Sequence, residues 1–143
     1  MKAESSVTGK RGEYMVIGKF LAKGLTIYTP IVDIEGIDCI IKNEKGRLMQ
    51  VQIKTRNEDN NKETEFKIKD FKPNEDYFIC CYFINTEELW VIPSVVFKSR
   101  SYLRKDGCRV LYMNWQNRKK LNSYKNDSGL KLLGYRPYSQ RAK

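Results

Sequence analysis

Apolar positions first recur at helical spacing, at Val16, Ile17, Phe20 and Leu21, and this predicts an amphipathic helix over 8–23 that Gly24 ends. Gly9 and Gly12 weaken its first turn. The period then changes from 3.6 to 2. Residues 25–31 (LTIYTPI) predict a strand ended by Pro30, residues 36–42 (GIDCIIK) a second, and residues 47–56 (RLMQVQIKTR) a third. Asn43-Glu44-Lys45-Gly46 joins the last two as a hairpin turn, with glycine available for positive φ. In the third strand Met49, Val51 and Ile53 face one way, and Gln50, Gln52 and Lys54 the other. Residues 57–65 (NEDNNKETE) hold no apolar side chain and predict a mobile loop. The unbroken apolar run 77–84 (YFICCYFI) fits a central strand covered on both faces. Residues 88–92 predict a short strand, Pro93-Ser94 the start of a helical turn (SVVFKS), and residues 108–113 another strand. Residues 114–122 (NWQNRKKLN) predict a helix with its basic face outward, and Trp115 is assigned to the core rather than to a stacking platform. The tail from Gly134 is expected to be frayed, or ordered only on binding. Without repeats or a linker, 1–143 is expected to be a single domain.

Composition narrows the chemistry. At 41% hydrophobic and 31% charged, the 143-residue chain is a folded soluble type rather than a disordered one. Histidine is absent, which excludes Ser-His-Asp and Cys-His relays, His-ligated metals and a His general base. Acid–base work is left to carboxylates, Lys, Tyr, Cys or water on a metal. The first residues carry no apolar run of a signal peptide, and no stretch approaches the roughly 18 apolar residues of a membrane span. Cys39, Cys80, Cys81 and Cys108 form no CxxC pair and are expected to be buried reduced thiols, a zinc site or disulfide framework being the minority alternative. A cytoplasmic location is the matching expectation.

Charge is unevenly spread. Residues 1–97 carry 14 basic and 15 acidic side chains, whereas 98–143 carry 13 basic and 2 acidic, so the net +10 lies wholly in the last third. Tyr102, Tyr112, Trp115, Tyr124, Tyr135 and Tyr138 are interleaved there. Such asymmetry points to a polyanion partner, because neutralising phosphates releases counterions and steers association. A merely solvated basic surface is the bland alternative. A membrane patch is disfavoured, since no strongly apolar helix face accompanies the charge.

The first half holds a polar constellation. Asp38 projects opposite to Ile37 and Cys39, Gln52 and Lys54 share one strand face, and a hairpin of the two strands brings all three together. A carboxylate, an amide and an ammonium on one face are costly to bury without compensation. Mg²⁺ supplies a reason for the grouping, with Asp38, the Gln52 amide oxygen and the Ile53 carbonyl as partial ligands. Lys54 would orient or help deprotonate a metal-bound water, or neutralise charge developing on phosphorus, and Glu13 would reach the ion's outer shell or a second metal from the helix. The bland alternatives are a solvated lysine and a strand-end aspartate.

The strings GKRGEYMVIGKFLAKG, TPIVDIEGIDCII and GRLMQVQIKTR resemble the PD-(D/E)xK nuclease superfamily, over about residues 9–56. Archaeal Holliday-junction resolvases and intron-associated homing endonucleases of that fold are the nearest in appearance. The resemblance implies an α/β, restriction-endonuclease-like core, a mixed central β-sheet flanked by helices. It also implies phosphodiester hydrolysis with Mg²⁺, Mn²⁺ substituting, that leaves a 5′-phosphate. The second half resembles no family closely; with the charge split, the catalytic core is expected at about 8–97 and a basic nucleic-acid-binding part at 98–143. Glu13 matches the family's helix glutamate, Asp38 its metal aspartate and Lys54 its lysine, while Gln52 stands where most members have Asp or Glu. Asp33 offers a further carboxylate or, as the blander alternative, a turn residue after Pro30.

A metal-dependent DNA endonuclease acting as a homodimer or larger assembly is therefore expected, of junction-resolving, homing or restriction type. Lys10, Arg11 and Arg56 would contact flanking phosphates, and Arg118, Lys119 and Lys120 would form a phosphate-positioning helix. A non-catalytic nucleic-acid-binding protein on the same fold is the first rival. A partner-binding protein and a ribonuclease are others.

Overall fold

The helical pattern at the start of the chain becomes α1 (Lys2–Ala22), six residues earlier than periodicity predicts. Nothing in Lys2-Ala3-Glu4 breaks a helix, so the turns continue upstream of the apolar stripe. The computed structural model describes residues 2–32, 36–57 and 64–137.

Three strands follow α1: β1 (Thr26–Tyr28), β2 (Cys39–Lys42) and β3 (Leu48–Arg56). They pair antiparallel in sequence, and Gly46 takes φ 83 in the β2–β3 hairpin. After β4 (Glu65–Ile68) the chain enters β5 (Tyr77–Phe83), which pairs parallel with β3, and then β6 (Glu88–Pro93), antiparallel to β5. The main sheet therefore runs β1-β2-β3-β5-β6 and is mixed. A helical turn α2 (Ser94–Arg100) leads to β7 (Tyr102–Leu103) and β8 (Arg109–Tyr112), and these join β4 in a second sheet ordered β4-β8-β7. The chain finishes with α3 (Trp115–Lys120), α4 (Asn126–Leu130) and a short 3-10 turn, Lys131–Leu133.

β5 is buried throughout, and its alternation divides the interior in two. Phe78, Cys80 and Tyr82 pack with Val16 and Phe20 of α1 and with Ile41, Met49 and Val51. Tyr77, Ile79, Cys81 and Phe83 pack on the opposite face with Phe66, Ile68, Phe97, Leu111 and Leu121. All four cysteines are buried free thiols. Among the described residues no helix is long and apolar enough to cross a membrane.

Several sequence expectations are corrected. Trp115 is 72% exposed rather than core. The inward face of α3 is set by Asn117 and by Leu121 one turn on, which puts the first residue of the helix outside. The tail does not fray at Gly134: the Tyr135 N–H donates to Leu130 O, and the Tyr135 ring packs on the first core beneath the Lys23 ammonium. β4, β7 and α4 are additions to the predicted elements. Most of the predicted 57–65 loop, together with Asp33 and the tail after 137, lies outside the described residues.

Candidate active site

The hairpin register pairs Cys39 with Val51, so one step outward Asp38 stands opposite Gln52. The Asp38 N–H donates to Val51 O (2.9 Å), and its carboxylate Oδ2 accepts from the Ile53 N–H (2.6 Å). The carboxyl group is thus aimed along β3.

Gln52 is only 8% exposed. Its Oε1 accepts a hydrogen bond from the Tyr77 hydroxyl, supplied by the start of β5. On the other side stands Gly36, at φ 71, where a side chain would come within 3.1 Å of Gln52 Nε2. Glycine there satisfies both the left-handed backbone and the close approach. The phenol of Tyr77 is pushed up to about 12 by burial, with a contribution from the Asp38 charge, so it stays protonated and remains a donor.

Glu13 reaches the same place because α1 lies very close to β3. A Cβ at Gly12 would fall 2.6 Å from Thr55 Cβ, so the helix can touch the strand only with hydrogen at that position. The Glu13 carboxylate is 17% exposed and takes an ion pair from Lys10 (3.2 Å), whose ammonium is held protonated above its usual range chiefly by that hydrogen bond. The Cys39 thiol is pushed up to about 12 by burial and then by the charges of Asp38 and Glu13, which makes it no candidate for a nucleophile or metal ligand.

These groups line one open cleft of about 1100 Å³: Lys10, Glu13, Gly36, Asp38, Gln52, Ile53, Lys54 and Arg56 all contribute. Its floor is β3, its wall is α1, and the turn before β2 closes one end. Glu13 and Asp38 are its two carboxylates among the described residues. No group of three His, Cys, Asp or Glu forms among those residues, because Gln52 brings a neutral amide to the third position. The donor set is hard oxygen without sulfur or imidazole, the kind a hard divalent cation takes.

Other sequence candidates lie elsewhere. Arg11 does not line the cleft; its charge is felt by the Tyr82 phenol. Arg118 donates to Met113 O, ion-pairs with Glu88 (3.3 Å) and covers the Phe83 ring. Lys119 and Lys120 are exposed on α3 and line no part of the cleft. Arg100, Arg104, Lys125 and Arg136 are likewise engaged within the fold, by Asn117, Asp106, Glu88 and Glu44. Part of the basic excess of the last third is therefore structural. Sequence reasoning missed Tyr77 and Gly36, which grip Gln52 from two sides. It also missed Lys67, Lys69 and Lys72, which line a second groove beside the cleft. The alternation Phe66-Lys67-Ile68-Lys69 was the available signal.

The model of the PD-(D/E)XK endonuclease family matches residues 3–121, and the chain belongs to that family. Among solved structures, a bacterial homing endonuclease, I-Ssp6803I, superposes with a TM-score of 0.63 at 18% identity, over 89% of this chain and 92% of that one. At that identity the likeness establishes a shared restriction-endonuclease-like fold. A comparison with curated protein sequences finds no match.

Proposed function

We propose that the chain is a Mg²⁺-dependent DNA endonuclease whose site is the cleft between α1 and β3. The observation that carries this reading is that one cleft collects Glu13, Asp38, Gln52, Ile53 and Lys54, while the flanking chain supplies cations. Asp38, Gln52 Oε1 and the Ile53 carbonyl would hold the ion, with Glu13 supporting it. A bound divalent cation would polarise the scissile phosphate and lower the pKa of water. Lys54 holds the attacking water by hydrogen bonding and offsets charge developing on the phosphoryl oxygens. Lys10 and Arg56, at the rim, position phosphates on either side of the scissile one. Cutting both strands with one site per chain calls for a two-fold homodimer. Double-strand cutting of homing or restriction type and resolution of a four-way junction are the two substrate forms this supports.

The test is incubation of the full chain with linear duplex, four-way junction, single-stranded DNA and RNA, with and without Mg²⁺ or Mn²⁺. Metal-dependent cutting of one of the DNA substrates is expected. Lys54→Ala should bind that DNA with near-parental affinity and leave it intact. Cleavage by Lys54→Ala at the parental rate overturns the assignment. Binding by the parent without cleavage in either metal selects a non-catalytic nucleic-acid-binding protein instead.

A further inference from the structure

Beside the cleft, and sharing Gly36, Gln52 and Lys54 with it, runs a second groove of about 930 Å³. Its walls carry Lys54, Lys67, Lys69 and Lys72 against one carboxylate, Asp70. Lys67 pairs with Glu65 on its own strand (3.1 Å), whereas Lys54, Lys69 and Lys72 enter no ion pair among the described residues. Concentrating four ammonium groups in one hollow is unfavourable unless a polyanion fills it. The arrangement is built rather than incidental. Phe66 and Ile68 are fully buried in the second core, so strand alternation turns Lys67 to the other face, and Lys69, the residue just past the strand, lines the same groove.

We propose that this groove is a track for the substrate backbone beside the cleft: Lys67, Lys69 and Lys72 bind phosphates beyond Lys54. The inference rests on the nucleic-acid reading of the cleft and adds to it the path of the backbone beside the cleft. Continuity with the cleft at Gly36, Gln52 and Lys54 favours a nucleic-acid backbone over an acidic peptide, because a strand lying in one must pass into the other. The contacts are to phosphates only, so they contribute affinity and register without sequence preference.

The decisive measurement is the salt dependence of binding to a labelled linear duplex in a chelator, which prevents cleavage. Lys69→Gln/Lys72→Gln is compared with the parent and with a charge-matched control, Lys45→Gln/Lys98→Gln, at exposed positions outside both hollows. Each phosphate contact contributes about 0.9 to the slope of log K against log salt, so the groove variant should flatten it by about 1.8 while the control keeps the parental slope. In Mg²⁺, the groove variant should need more protein than the parent to saturate the duplex, whereas the control should need no more. A parental slope in the groove variant, or equal flattening in the control, overturns the proposal. Flattening confined to the groove variant supports it whether or not the parent cleaves. A parent that binds but never cuts sinks the nuclease reading alone, and a cleaving parent with unaltered slope in the groove variant sinks the groove alone.

Discussion

Gly12 and Thr55 touch with no room for another carbon: a Cβ on residue 12 would lie 2.7 Å from Thr55 Oγ1 and 2.6 Å from Thr55 Cβ. Thr55 is β-branched and stiff at χ1, so it cannot swing aside cheaply. Gly12→Ala gains up to about 1 kcal/mol of helix propensity. Overpacking costs about 1–3 kcal/mol, and so the net effect is destabilising. A lower urea midpoint is expected, partly restored by Thr55→Ala. Cleavage should fall further than stability does, since the next residue is Glu13. A Gly12→Ala protein more stable than the parent would refute the close approach.

Tyr77→Phe removes the hydroxyl that fixes Gln52. The amide oxygen is then left buried with one partner fewer, which costs about 1–3 kcal/mol. The same change should raise the Mg²⁺ concentration needed for half-maximal cleavage, because the ligand oxygen is no longer held. Titration of Mg²⁺ against initial rate checks this; an unchanged midpoint would confine Tyr77 to stability.

Gln52→Glu restores the third carboxylate while keeping an acceptor for the Tyr77 hydroxyl. Ion affinity rises with ligand charge, so half-maximal cleavage should need several-fold less Mg²⁺. Without metal the variant should melt lower than the parent, because a poorly solvated charge is added beside Asp38. Added Mg²⁺ should raise its melting temperature more than the parent's, and should move that of Asp38→Asn hardly at all.

Alkaline pH should unfold the protein. The Cys39 thiol is moved by burial from 9.0 to about 12 and the Tyr77 phenol from 10.0 to about 12. Both protons are retained by the folded chain and released earlier by the unfolded one. Above about pH 9 the unfolded state binds fewer protons, and stability falls as pH rises towards 12. Urea midpoints measured across that range should decline steadily; a flat profile would contradict the burial of these groups.

The first fifty-six residues were legible because their chemistry is written in alternation. Met49, Val51 and Ile53 had to face the first core, which left Gln52 and Lys54 on the opposite face beside Asp38. The later elements were harder for physical reasons. β7 is two residues long, too short to show a period. α4 contains Asn126, Asp127, Ser128 and Gly129, all weak helix formers, and is held by tertiary contacts: Asn126 Oδ1 accepts from the Leu89 N–H, and Gly129 packs against Val91. The lysines of the second groove were hidden by arithmetic. They fall in a stretch whose charges sum almost to zero, and only folding separates them from the nearby acids. Arg118 misled in the opposite sense, as a cation in a basic run that the fold spends on Glu88 and a carbonyl.

β4 carries two trades on alternate residues. Phe66 and Ile68 belong to the interior, while Lys67, with Lys69 just beyond, belongs to the groove. Positions 66 and 68 are locked by packing, whereas 67 and 69 are open to change at little structural expense. A lineage of such proteins can therefore retune its grip on a ligand at 67 and 69 without renegotiating its own stability, and a directed library confined to those sites would explore affinity alone.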